Sequence, residues 1–92
     1  MTLDELYRII ENRKKNLPKD SYVASLIEEG IDRIIQKVGE ESVEVTIAAK
    51  NKNKDRLKEE IADLWFHLLI LLSVKNLKPE DILKELGKRN KK

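Results

Sequence analysis

"IDRIIQKVGEESVEVTIAAK", residues 31 to 50, decides the fold. Ile31, Ile35, Val38, Ser42, Val45 and Ala49 recur at alternating spacings of four and three, the pattern of a helix that packs along one seam. Gly39 inside it costs about 1 kcal/mol relative to Ala. After a break at "NKNKD", Asn53 or Asp55 is placed to cap a second long helix that runs to about Asn76. Its stripe is Leu57, Ile61, Leu64, Leu68 and Leu72, and Trp65, Phe66, Leu69 and Ile70 make it apolar almost all round. Two such helices joined by a short break read as an antiparallel hairpin.

The flanking segments add shorter helices. Leu3 to about Lys15 carries the stripe Leu3, Leu6, Tyr7 and Ile10, with Thr2 and Glu5 spaced as a capping box. "NLPKDS" is a connector: Pro18 disfavours helix at Leu17, and Asp20 or Ser21 caps the short helix "SYVASLIEEG". Gly30 is either a break or a pinch point before the long helix. Pro79 opens a last helix, "PEDILKELGKRNKK". The expected fold is all-α, one domain over residues 1–92. A helix apolar on every side is covered on every side, and a chain of 92 residues has little to cover it with. A homodimer, forming a dimeric helical bundle, follows as an expectation.

Composition narrows the function. Apolar residues are 40% and charged residues 39%, with three glycines and two prolines, which suits amphipathic helices. There is no cysteine, so thiolate metal sites are excluded and a cytoplasmic location is the default. The acidic start "MTLDELYRII" does not resemble a signal peptide, and "LWFHLLILLSV" is too short to span a membrane. A net charge of +2 argues against nucleic acid as partner. The basic stretches from Lys50 and at the C-terminus read as solvated loop and tail.

The chemistry lies in two carboxylate pairs. At 100° per residue Lys37, Glu41, Glu44 and Ala48 share a strip beside the first seam, with Glu40 nearer solvent. Glu60, Asp63, His67 and Leu71 form the matching strip of the second helix. Packing by the stripes brings Glu41, Glu44, Glu60 and Asp63 into one cluster, which stays ionised only if a cation neutralises it. Oxygen ligands alone favour Mg²⁺, with Mn²⁺ the alternative. A ferritin-like di-iron site needs Glu-x-x-His pairs that this chain lacks. The competing reading is an acidic solvated face without an ion.

Other residues have two readings each. Lys37 grips a phosphate or pairs with Glu41, one turn away. Lys50 and Asn51, at the end of the helix, reach phosphate or ribose, and Arg33 and Arg13 face phosphates or pair on the surface. His67 orients a carboxylate or bonds across an interface. Glu59 reads as surface, and Trp65 and Phe66 as core and dimer contacts.

"EESVE" followed by "EIAD" resembles the E-x-x-E and E-x-x-D pair of the all-α nucleoside triphosphate pyrophosphatase (MazG-like) superfamily. "DSYVASLIEEGIDRIIQKVGEESVEVTIAAKN" and "LKEEIADLWFHLLILL" resemble its phosphoribosyl-ATP pyrophosphohydrolase family, over roughly Leu3 to Leu86. The resemblance implies hydrolysis of phosphoribosyl-ATP to phosphoribosyl-AMP and pyrophosphate, the second step of histidine biosynthesis. It implies Mg²⁺ held by Glu41, Glu44, Glu60 and Asp63, and nominates Ser21 and Tyr22 for substrate binding, with Glu40 at a second ion or a water. Val23 stands where the family has Thr, which puts a hydroxyl contact there in doubt. Without cysteine ligands for the zinc cyclohydrolase to which this activity is fused in some organisms, the stand-alone form is expected. The alternatives are a house-cleaning (d)NTP pyrophosphatase of the MazG or dUTPase type, separable by substrate, and a non-catalytic dimerisation module, which would ignore Mg²⁺.

Overall fold

The computed structural model describes residues 1–90, so the last two lysines of the basic tail lie outside the described residues. Five helices follow in order: α1 (Leu3–Asn16), α2 (Tyr22–Glu29), α3 (Ile31–Ala49), α4 (Lys54–Val74) and α5 (Pro79–Arg89). The fold is all-α, with no strand among the described residues. No helix there is long and apolar enough to cross a membrane.

The helix starts are those the capping residues dictate. The Thr2 hydroxyl accepts from the Glu5 amide at 3.1 Å, the Ser21 hydroxyl from the Ala24 amide at 3.1 Å, and Asn53 from the amides of Asp55 and Arg56. Each satisfies amides that the first turn leaves unpaired. Gly30 is a true break: its φ of 102° and ψ of 175° lie where residues with a Cβ are strained. It turns the chain between α2 and α3.

Residues 50–53 fold α4 back along α3, making the hairpin. The apolar core sits towards its open end, where Tyr7 and Ile10 of α1 and Val23 and Leu26 of α2 meet Ile34, Leu69 and Ile70. Burial of side chains this size contributes about 1.5–3 kcal/mol each. A polar clamp adds to it. Ser73, fully buried, donates to Glu11 at 2.6 Å, while Lys14 reaches Glu11 and the Ser73 carbonyl, both at 2.8 Å. Lys14 thereby serves a carbonyl in the last turn of α4 that also accepts from the Asn76 amide just beyond the helix.

The hairpin is rotated from the arrangement the apolar stripes suggest. On α3 the buried side chains are Ile34 and Ala48, one residue before the expected Ile35 and Ala49, and Ile35 is 52% exposed. On α4 the buried set is Glu60, His67, Leu69, Ile70 and Ser73, whereas Leu68 of the expected stripe is exposed. Glu41 and Glu60 are therefore drawn into the hairpin, Glu44 and Asp63 stay exposed, and apolar side chains such as Ile35 and Leu68 are left outside it. Trp65, Leu68 and Leu72 with Leu3, Ile82 and Leu83 line an open apolar groove of about 470 Å³.

Candidate functional site

Glu41 on α3 and Glu60 and Asp63 on α4 each present a carboxylate oxygen, and the three oxygens lie within 4.8 Å of one another. Helical geometry makes this possible: Glu60 and Asp63 are one turn apart on the strip that faces α3. The cluster runs from the interior to the surface. Glu60 is buried at 5% exposure, Glu41 is half-buried and Asp63 is exposed. At such separations each pair of like charges repels by about 4 kcal/mol at an effective dielectric of ~20.

Two cations offset part of that. Lys37 Nζ is 3.3 Å from Glu41, and an Arg56 guanidinium nitrogen is 3.0 Å from Glu60, the other end of the fork reaching Glu59 at 3.7 Å. Burial alone would lower the Lys37 pKa, but its hydrogen bond to Glu41, with further pull from Tyr22 and Glu40, holds the ammonium above its usual value. Three carboxylates against two cations leave one net negative charge. The donors are all oxygen, the kind of set that hard divalent cations favour.

Of the other residues nominated by sequence, Glu44 is exposed, one turn beyond Glu41 and outside the three-oxygen set. Glu40 is exposed and pairs with Arg33 at 3.6 Å. Lys50 ends α3 and Asn51 lies in the turn, both exposed and nine or more residues past Glu41, about 14 Å along the helix. Ser21 is buried as the cap of α2. Val23 lies in the core with Leu26 and Ile34, so this departure from the family pattern removes no group from the carboxylates.

Tyr22 and His67 do meet at the site. The Tyr22 hydroxyl is 2.7 Å from His67 Nε2, and His67 Nδ1 is 2.7 Å from the Asp63 backbone oxygen. Burial raises the Tyr22 pKa, opposed by Lys37 and Arg33 and reinforced by Glu41 and Asp63. His67 thus bonds to the backbone of Asp63 rather than to its carboxylate. Sequence reading missed Arg56 as the counter-ion of Glu60, although their i, i+4 spacing carries the signal. The contact between Tyr22 and His67 has none, the two being 45 residues apart.

The family described as phosphoribosyl-ATP pyrophosphohydrolase matches residues 3–90. A protein of Clostridium acetobutylicum named phosphoribosyl-ATP pyrophosphatase is 54% identical over 90 residues, which are 98% of this chain and 82% of that protein. Proteins of the same name from Methylococcus capsulatus and Haloarcula marismortui are each 47% identical, over 95% of this chain and 83% and 91% of theirs. With a match of this extent and identity, the chain belongs to the phosphoribosyl-ATP pyrophosphohydrolase family.

Proposed function

We propose that this protein is a cytoplasmic, homodimeric hydrolase that cleaves phosphoribosyl-ATP between its α and β phosphates, yielding phosphoribosyl-AMP and pyrophosphate in histidine biosynthesis. The observation that carries the chemistry is the convergence of Glu41, Glu60 and Asp63 from two helices. The names of the relatives support the substrate. Glu41, Glu60 and Asp63, with Glu44 reaching in from the next turn, would hold Mg²⁺, or Mn²⁺ in its place. When bound, the ion neutralises charge on phosphate oxygens and lowers the pKa of a coordinated water.

The chain's own groups do the rest. Lys37, already charged and drawn to Glu41, binds a phosphate oxygen at the edge of the cluster. Arg56 pairs with the buried Glu60 at the inner end of the cluster. A carboxylate of the cluster accepts the proton of the attacking water. The hairpin brings these groups together, so positioning and electrostatics carry most of the step. The exposed apolar groove, and Ile35 outside the core, support a second copy as partner.

Pyrophosphate release from phosphoribosyl-ATP, ATP and dUTP, with Mg²⁺ or EDTA, tests the reading in wild type and Asp63→Asn. Release selective for phosphoribosyl-ATP and lost with EDTA or in the variant is expected. Faster cleavage of dUTP or ATP would instead identify a house-cleaning pyrophosphatase.

A further inference from the structure

Tyr22 opens α2, and its hydroxyl meets His67 on α4 at 2.7 Å. The other ring nitrogen of His67 faces a backbone carbonyl, which only accepts, so Nδ1 carries the hydrogen. In the neutral ring Nε2 is then the acceptor, and Tyr22 donates to it. Among the described residues this is the one side-chain hydrogen bond between α2 and α4. The hydroxyl is thereby used inward, and what Tyr22 shows to solvent is its ring, at 46% exposure. Phe66 stacks along it, with centroids 6.3 Å apart at 23°, and His67 stands edge-on at 5.6 Å and 85°. A ring fixed at its hydroxyl and along one side is ordered before any ligand arrives.

The groups beside it take the charged part of a nucleotide. Glu41 and Asp63 belong to the carboxylate cluster and Lys37 to its phosphate edge, and none of them offers a flat apolar surface. A nucleotide held there by its phosphates still has a planar, uncharged base to place. Trp65, the exposed aromatic of α4, lines the apolar groove with Ile82 and Leu83 instead. We infer that Tyr22 is the surface on which the purine base of the substrate stacks, and that His67 is the positioning residue that holds it there. His67 then acts on the base through Tyr22. The identity of that base rests on the function proposed above.

The test combines titration with kinetics on the full chain in Mg²⁺ buffer. AMP should move the Tyr22 ring resonances of ¹³C-labelled protein, and pyrophosphate should leave them in place. Tyr22→Leu should raise KM for phosphoribosyl-ATP about tenfold, with a smaller change in kcat. Tyr22→Phe, which keeps the ring, should recover most of the loss. His67→Gln should raise KM when Tyr22 is present and add nothing to Tyr22→Leu; a merely structural histidine would add in both backgrounds. Tyr22 resonances that ignore AMP, or an unchanged KM in folded Tyr22→Leu, would overturn the inference. If wild type leaves phosphoribosyl-ATP uncut, the proposed function fails, and the AMP titration still decides the stacking.

Discussion

Arg56 lies one turn before Glu60 on α4, and its guanidinium meets the buried carboxylate at 3.0 Å. A carboxylate at 5% exposure with no such partner would carry a large desolvation penalty. Arg56→Met should therefore lower the stability of the metal-free protein. The loss should be about 1–2 kcal/mol, below the value for a fully buried pair because the arginine is half-exposed. Excess Mg²⁺ should recover much of it. Urea midpoints with Mg²⁺ and with EDTA measure both effects, and equal losses in the two buffers would count against an ion beside Glu60.

Glu44 offers a cleaner separation of function from folding. It is exposed and stands outside the three-oxygen set. Glu44→Ala should change stability by less than about 0.5 kcal/mol, as surface substitutions do. If Glu44 joins the proposed cation site, the substitution should nevertheless lower pyrophosphate release by roughly 100-fold. Full activity in Glu44→Ala would restrict the site to Glu41, Glu60 and Asp63.

Acid should loosen the joint between α1 and α4. The hydrogen bond from Lys14, then that from Ser73, holds the Glu11 carboxyl below its ordinary value of 4.5, against a smaller opposing effect of burial. The folded chain thus binds fewer protons there than the unfolded chain. The resulting stabilisation is complete above about 4.5, the unfolded value, and is lost as pH falls through the lower folded value. Urea midpoints against pH for wild type and Glu11→Gln should differ most near neutrality and converge in acid.

The glycines of α3 and its entrance should behave oppositely. Nothing lies within 4 Å of where a Cβ would stand at Gly30 or at Gly39, so neither substitution meets a clash. At Gly30 the backbone itself, with φ at +102°, resists a side chain. Gly30→Ala should cost about 1–3 kcal/mol. Gly39→Ala, inside the helix, should stabilise by about 0.5–1 kcal/mol. Thermal unfolding of the two variants checks the contrast.

The apolar groove makes a prediction about assembly. Trp65 is 54% exposed and lines it beside Leu68. Wild type should elute as a dimer by size exclusion with light scattering, and Trp65→Glu as a folded monomer at the same concentration. A dimer that survives Trp65→Glu would place the interface elsewhere.

Much of this was legible in the sequence. Thr2 and Pro79 announced two helix starts and the pairs Asp20 or Ser21 and Asn53 or Asp55 two more, of which Ser21 and Asn53 are the caps, because a cap is a local event read over three residues. Of the four carboxylates expected to converge, Glu41, Glu60 and Asp63 do so, while Glu44 is exposed outside the set. The rotation of the hairpin was not legible. Periodicity finds apolar faces without saying what covers each one, and here Glu60, His67 and Ser73 are buried because Arg56, Tyr22 and Glu11 satisfy them. Those partners come from one turn away or from distant helices, and only the single-turn pair leaves a pattern in the chain.

The core occupies one end of the hairpin, around Ile34 and Ile70, and the carboxylates lie nearer the turn. The molecule is thus divided into an anchored end and a lightly held end. Opening of the lightly held end need not await global unfolding, since a region with few buried apolar side chains has a lower free energy of local opening. A ligand that bridges α3 and α4 would close that seam like a clasp. Substrate capture and the tightening of the scaffold would then be one event, with the anchored end free to vary so long as it remains packed.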